Sequence, residues 1–202
     1  MLDKSGNGNN GNAINIATST FYVPGKIGQA GKFDGGDDYV NTAKALSTFM
    51  SNSDGTMTAW AYPTISNVSV CTGSEAGGIV DDGTSGYIAF GLATHSGGNS
   101  WCGSLYDGTF KILFYDSVKL NTWYHLVWMH TGGTLYLYVN GSLSGSIAAG
   151  NIVSLTGIVN IGRGYSTNRF FQGSLDDVRI YNRALSAQEV RQLYNMGRKK
   201  KL

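Results

Sequence analysis

Charge, proline and long hydrophobic runs are all scarce in this sequence of 202 residues. Charged residues make up only 14%, where about a quarter is usual for soluble domains. No apolar segment approaches the roughly 18 residues that a membrane-spanning helix requires, so membrane insertion is not expected. The net charge is only +2, which provides no broad basic surface for phosphates, so a nucleic-acid partner is not expected either.

Cysteine is also scarce, and the residues present leave two possibilities open. Cys71 and Cys102 are the only cysteines in the chain. Their spacing is compatible with one disulfide and equally with two buried thiols.

Glycine, by contrast, is abundant, and short strand-like patterns recur along the chain. The sequence has 29 Gly against 2 Pro, which suits many short strands joined by tight turns. Strands are predicted at 56–62, 78–80, 87–92, 100–106, 110–115, 123–130, 135–139, 159–163 and 174–181. Hairpin turns are predicted at Asp107-Gly108, Gly132-Gly133 and Asn140-Gly141. The fold class is therefore predicted to be all-β.

One helix is predicted near the end of the chain, from residue 187 to about 196. Ser186 stands at the N-cap position with Glu189 three residues later, which is the pattern of a capping box. Val190 begins an apolar face that could pin the helix onto a sheet. Gly197 is predicted to form the C-terminal cap.

Six sequence blocks, in order along almost the whole chain, resemble the laminin-G-like (concanavalin A-like) jelly-roll domain of the bacterial extracellular type. The blocks are Asp3–Gly11, Gly31–Gly35 with Asp38–Val40, Thr58–Trp60, Trp123–Val127, Leu137–Gly141 and Phe171–Ser186. The resemblance implies a two-sheet antiparallel jelly-roll sandwich with one short C-terminal helix. It assigns residues 1–197 to one domain and leaves 198–202 as a basic tail.

The same resemblance implies where such a domain works and what it contacts. Domains of this type usually belong to larger multidomain chains that are secreted or held at the cell surface. The expected partner is therefore a glycan or a surface protein. In that oxidising setting, Cys71 and Cys102 are expected to form a disulfide.

Calcium is the cofactor that the opening loop suggests. Asp3, Asn7 and Asn9 alternate along a glycine-punctuated segment, which can turn several oxygens toward one hard cation. The position at which an EF-hand has its bidentate glutamate is Ile14, so further ligands must come from elsewhere. In the family, that role often falls near Asp176, and these four residues are the predicted metal ligands. A plain turn rich in Asp and Asn is the alternative.

Catalysis is not expected from the carboxylates that the chain offers. Jelly-roll glycosidases of the laminarinase type carry Glu-x-Asp-x-Glu on one strand, which places the carboxylates on one face. This sequence has only two glutamates, Glu75 in a glycine-rich loop and Glu189 at the helix cap. The histidines at 95, 125 and 130 show neither triad nor metal-site spacing. Carboxylates from separate strands leave a divergent glycosidase as a lesser alternative.

Sugar binding would require exposed aromatic platforms beside planar polar groups. The candidate residues are Trp101, Tyr106, Trp128, Tyr136, Tyr138 and Tyr165, with Asn99, Asp107 and Arg163 nearby in sequence. The alternative for each aromatic residue is an ordinary place in the core or on a strand surface. The function favoured by the sequence is a non-catalytic carbohydrate-binding or adhesion module. A protein-interaction or structural domain of a surface protein, without a sugar site, is the second hypothesis.

Overall fold

The structure is a computed structural model that describes residues 2–50, 54–65, 77–82, 88–165 and 169–198. The early strands are β1 Asn12–Ile14, β2 Tyr22–Pro24, β3 Gln29–Asp34, β4 Tyr39–Ala45, β5 Gly55–Pro63, β6 Gly77–Asp81 and β7 Ile88–His95. The later strands are β8 Gly98–Tyr106, β9 Phe110–Tyr115, β10 Tyr124–Thr131, β11 Thr134–Val139, β12 Ser142–Ala148, β13 Ile158–Ile161 and β14 Gln172–Tyr181. The helices are α1 Thr18–Phe21 and α2 Ala187–Arg198, with one 3-10 turn at Leu46–Thr48.

The strands form two seven-stranded sheets that face each other. The front sheet has the order β1-β4-β13-β6-β7-β8-β9, and the back sheet has the order β12-β11-β10-β5-β14-β3-β2. Neighbouring strands are antiparallel throughout. This arrangement confirms the predicted two-sheet sandwich with one short C-terminal helix.

The core lies between the sheets, and side-chain alternation builds it from both sides. In β5, Met57, Ala59 and Ala61 point inward, as their spacing predicts. They meet inward side chains of the front sheet that include Phe90 and Trp101. Because every second residue of each strand points away from this core, each sheet also has an outer face.

Helix α2 covers the outer face of the back sheet. Its Val190 and Leu193 pack with Val127 and Tyr138 in a second apolar cluster. The predicted capping box is present, since the Ser186 hydroxyl accepts the Glu189 N–H at 3.2 Å while Glu189 accepts the Ser186 N–H at 2.8 Å. No helix in the described residues is long and apolar enough to cross a membrane.

Gly197 serves packing, and its prediction as the C-terminal cap is wrong. The helix continues through Arg198, so Gly197 lies inside the last turn. A Cβ atom at Gly197 would come within 2.5 Å of the Trp60 ring. Glycine therefore allows the helix backbone to lie directly on Trp60, which is only 2% exposed.

Trp60 is thus buried beneath the helix, whereas Trp123 is only partly buried. Trp123 precedes β10 and lies against Tyr62, with ring centroids 5.4 Å apart. Trp123 therefore makes an aromatic contact at the rim of the back sheet and does not belong to the core. The two tryptophans therefore differ in how much stability they should provide.

Cys102 lies on the outer face of the front sheet, fully buried beside Ala89 and Ala93. Its sulfur is disulfide-bonded. The predicted partner, Cys71, lies outside the described residues, so the Cys71–Cys102 pairing stays a prediction. The segment Asn67-Val68-Ser69, which matches the N-glycosylation pattern, also lies outside the described residues. So does the basic tail beyond Arg198.

Candidate functional site

The described helices pack on the back sheet, so none of them covers the outer face of the front sheet. Val40, Phe90 and Trp101 point into the core, so their neighbours along each strand point outward. One continuous row of paired residues crosses the sheet on this outer side. The row runs Asn12, Asn41, Asn160, Asp81, Ala89, Ser104 and Ile112.

The first half of this row is polar, and we call Asn12, Asn41, Asn160 and Asp81 the amide row. The Asn41 side-chain amide donates to the Asn160 side-chain oxygen at 3.1 Å. Asn160 and Asp81 are nearly buried, and Asp81 has interaction partners of its own. Only Asn12 and Asn41 of the amide row are therefore accessible to a ligand, and the Asn160 side-chain oxygen fixes the orientation of the Asn41 amide.

The second half of the face is apolar and aromatic, and we call it the hairpin edge because it lies on the β8–β9 hairpin. Tyr106 and Phe110 pair with ring centroids 4.8 Å apart, and Phe110 is 45% exposed. His95 stacks on Phe114 at 3.9 Å with the rings only 8° from parallel. The hairpin edge therefore offers accessible aromatic surface, which the planar faces of sugars favour.

A His, an Asp and a Ser meet at the end of the hairpin edge, but their order does not make a nucleophilic triad. Asp116 accepts a hydrogen bond from the Ser100 hydroxyl at 2.6 Å and pairs with His95 Nδ1 at 2.8 Å. These contacts, with Ser100 the larger, lower the pKa of Asp116. A triad would place the histidine between serine and carboxylate. Here the aspartate lies between them, so Ser100 has no base.

The opposite end of the face carries an arginine between two aromatic rings. The guanidinium carbon of Arg163 lies 4.9 Å from the Tyr39 ring centroid and 5.8 Å from that of Phe170. Tyr39 is two residues before Asn41 on β4, and so it points to the same side as the amide row. The face therefore combines amides, aromatic rings and one cation.

Three of the six predicted sugar platforms, Trp101, Trp128 and Tyr138, are buried, and a fourth, Tyr136, is partly buried. Trp101 and Trp128 are completely buried in the core, so no sugar can reach them. The Trp128 indole N–H donates to the Ser104 carbonyl at 3.1 Å. Tyr136 and Tyr138 lie in the apolar cluster beneath α2. The sequence could not distinguish these positions, because β8, β10 and β11 have apolar residues on both faces.

Tyr106 and Tyr165 remain as candidate platforms. Tyr106 lies at the hairpin edge beside Phe110. Tyr165 is 42% exposed and stands two residues after Arg163. The structure thus places the two surviving tyrosines near opposite ends of the same sheet.

The opening loop does not fit a calcium site. Asp3 accepts N–H groups from Ser5 and Asn9, both at 2.8 Å, and its pKa is lowered mainly by the Ser5 bond. The side-chain oxygen of Asn9 accepts from the Lys44 ammonium at 2.9 Å, so a cation already holds that oxygen. Asn7 takes part only through its N–H, which donates to Ser5. This arrangement is the turn stabilised by Asp and Ser side chains that was the alternative.

Asp176 belongs to a different part of the molecule from Asp3. It lies on β14 of the back sheet, opposite Trp60, whereas the opening loop is tied to β4 of the front sheet through Lys44. Its carboxylate accepts the Ile27 N–H at 2.7 Å. Burial raises its pKa, and the N–H bonds oppose that rise only in part. The structure does not bring the four predicted metal ligands together.

An acidic group that the metal prediction overlooked is formed by Asp34, Asp37 and Asp38. Their carboxylate oxygens lie within 4.8 Å of one another. The pKa of Asp38 is raised by burial and further by the charges of Asp34 and Asp37. Asp37 and Asp38 follow a turn in which the Gly36 N–H donates to the Asp34 carboxylate.

Comparisons with known proteins agree with the two-sheet fold. The sequence model of a family described as the concanavalin A-like lectin/glucanases superfamily matches residues 34–191. No curated protein sequence matches the chain significantly. Domain 4 of an extracellular arabinanase from Geobacillus stearothermophilus, solved in complex with arabinotriose, is similar with a TM-score of 0.62 and 18% identity. That alignment covers 91% of this chain and 85% of the arabinanase domain.

Two further solved structures have the same fold. The binding domain of Paraclostridial Mosquitocidal Protein 1 is similar with a TM-score of 0.67 and 20% identity, and the alignment covers 96% of this chain and 49% of that one. A native heptameric SAP-like pentraxin from Limulus polyphemus has a TM-score of 0.56 and 18% identity, over 75% of this chain and 72% of that one. At such identities the similarity shows a shared fold and nothing more specific.

Proposed function

Because the chain belongs to the concanavalin A-like lectin/glucanase superfamily, we propose that it is a non-catalytic extracellular binding module whose ligand is a glycan. The observation that supports this proposal most is the outer face of the front sheet. On that face Asn12 and Asn41 are accessible beside the Tyr39 ring, and further aromatic rings lie at the hairpin edge. Amides and accessible aromatic rings are the groups that glycan recognition needs. The arabinanase domain with arabinotriose is a relative of the same fold in which a glycan is bound.

The carboxylates support binding over hydrolysis. Glu189 pairs with Arg183 at 2.6 Å, and this contact and Ser186 lower its pKa to about 2. A carboxyl with so low a pKa is a poor general acid at neutral pH. Glu75, the other glutamate, lies outside the described residues. A hydrolysis screen on polysaccharides tests this part of the proposal, and turnover of any substrate would contradict it.

A glycan array, followed by titration with the best oligosaccharide, tests the proposed function. We expect Phe110→Ala to weaken binding roughly 2–10-fold, since an aromatic contact is worth about 0.5–1.5 kcal/mol. Tyr22→Ala is the matched control, because Tyr22 is 55% exposed but lies on the outermost strand of the back sheet. It should bind like the parent. An array on which no glycan binds would overturn the proposal.

Protein recognition is the second candidate function. Strand β9 ends the front sheet, so one of its edges has no strand partner in the described residues. Together with exposed Phe110, such an edge suits a partner that adds a strand. An empty glycan array combined with capture of a defined surface protein would favour this alternative.

We also propose that calcium stabilises the folded domain, as the family resemblance implies. The measurement is thermal melting in excess chelator and again in millimolar calcium. A ligand that binds only the folded state raises the midpoint, and a concentration 100 times Kd adds about 2.7 kcal/mol. Magnesium, which gives up its waters reluctantly, should do much less.

Two variants locate the ion in that experiment. If Asp38→Asn removes the calcium effect and Asp3→Asn retains it, the ion lies at the acidic group of Asp34, Asp37 and Asp38. The reverse result would restore the opening loop as the ligand. Equal midpoints with chelator and calcium in the parent would refute calcium stabilisation altogether.

A further inference from the structure

Arg163 is held in place by aromatic rings, and no carboxylate in the described part of the chain forms an ion pair with it. Its guanidinium lies against Tyr39 and Phe170, whose own centroids are 6.2 Å apart. The backbone beneath is fixed by a bridge between Arg163 and Phe170. It is also approached closely by Gly78, where a Cβ would come within 2.5 Å of the Arg163 carbonyl. The side chain is therefore held in position before any ligand arrives.

The donors of this guanidinium are not used within the described part of the protein. Arg163 Nε is buried and has no hydrogen-bond partner. No ion pair joins Arg163 to any described carboxylate. A buried donor without a partner costs about 1–3 kcal/mol, so the site gains whenever an acceptor binds there.

The nearest acidic group in sequence does not neutralise this cation. Asp38 precedes Tyr39, yet the charges that act on its pKa are those of Asp34 and Asp37 and not that of Arg163. Asp81 of the amide row is buried and has partners of its own. Arg163 thus remains available as a cation beside the amide row.

We propose that Arg163 binds the carboxylate of an acidic sugar, such as a uronic or sialic acid residue, on the outer face of the front sheet. This inference rests on the proposed glycan function. The planar guanidinium offers parallel N–H donors that match the two oxygens of a carboxylate. The Tyr39 and Phe170 rings supply apolar surface for the sugar ring, and the accessible amides of Asn12 and Asn41 supply partners for its hydroxyls. Neutral sugars would leave the arginine donors unpaired.

The test compares probes that differ only in the anionic group. Oligogalacturonate is titrated against its methyl ester, and sialyllactose against the methyl ester of its sialic acid, at low salt and at physiological salt. We expect a carboxylated probe to bind about 10–100-fold more tightly than its neutral counterpart, as one charged bidentate contact provides. Sulfated dextran against dextran reveals whether a sulfate ester is preferred instead.

Variants assign the preference to this residue. Arg163→Gln should abolish it, and Arg163→Lys, which keeps the charge but not the planar donors, should restore only part of it. The matched control is Arg198→Gln, because Arg198 also lies over a tyrosine ring, Tyr194 at 5.5 Å, but stands on α2 behind the back sheet. This control should keep the preference of the parent. The comparison of probes on the parent protein holds even if Arg163→Gln does not fold.

Each outcome separates this inference from the proposed function. Equal binding of acidic and neutral glycans, unaffected by Arg163→Gln, would overturn the acidic-sugar inference and leave glycan binding intact. A stronger response to sulfated dextran than to any carboxylated probe would overturn the assignment to a carboxylate. Binding of no glycan at all would overturn both.

Discussion

Replacing Trp60 by alanine is expected to lower the free energy of unfolding by about 3–5 kcal/mol, as a large cavity in a packed region does. Trp60 is 2% exposed and stacks on Tyr194 with ring centroids 5.6 Å apart. It also lies beneath Gly197 and beside His125. The substitution therefore empties the contact between α2 and the back sheet.

Trp123→Ala is the matched control for this experiment. Trp123 is the same residue type in a neighbouring strand region, but it is only partly buried, and its ring packs against Tyr62. Its removal should cost well under half as much as that of Trp60. Urea unfolding with comparable slopes gives both values on one scale. Equal costs for the two variants would contradict the assignment of Trp60 to the junction between helix and sheet.

Acid should destabilise the domain through His125. Burial, with a smaller effect from the charge of Arg179, lowers the pKa of His125 from 6.5 to about 4. The unfolded chain therefore takes up a proton between these pH values while the folded chain does not. The contribution of His125 is complete above about pH 6.5 and is lost as the pH falls to about 4, by about 3 kcal/mol in total.

The variant that isolates this effect is His125→Gln, compared with His95→Gln. His95 lies at the hairpin edge with its side chain 39% exposed. The quantity to measure is the change in unfolding free energy between pH 7 and pH 4. That change should be smaller in His125→Gln than in the parent. His95→Gln, which removes only the partly exposed pair with Asp116, should alter it much less. Carboxyls with raised pKa values, such as Asp176, act in the opposite sense but are common to all three proteins.

Much of the sandwich could be predicted because its central strands alternate clearly. Val178 and Ile180 face the main core, as their spacing predicts. Strands β1 to β4 and β12 were not predicted, and two of them show how weak the alternation of apolar and polar residues can be. Strand β1 is a short polar and small-residue segment, and β12 is a serine- and glycine-rich edge strand that is mostly exposed. Each has one β-branched residue and no aromatic residue, which is little of the content by which strands are recognised.

The candidate site was harder to predict, because it depends on which strands are neighbours. Asn41 and Asn160 are 119 residues apart in sequence and meet only because β13 lies between β4 and β6. Arg163 was noticed only as a polar residue near Tyr165, while its rings come from Tyr39 and Phe170. Aromatic residues alone misled the prediction, since a strand with two apolar faces does not reveal which one is covered.

The cover that α2 places on only one of the two sheets has a consequence for how this domain can diversify. On the back sheet, an outward side chain such as Tyr138 is a structural part, and changing it disturbs the helix contact. On the front sheet, outward side chains such as Phe110 and Ile112 do not belong to the main core. A randomised library confined to the outward positions of β9 should therefore yield new ligand specificities with melting midpoints close to the parent. The same library on β11 should yield mostly unfolded variants.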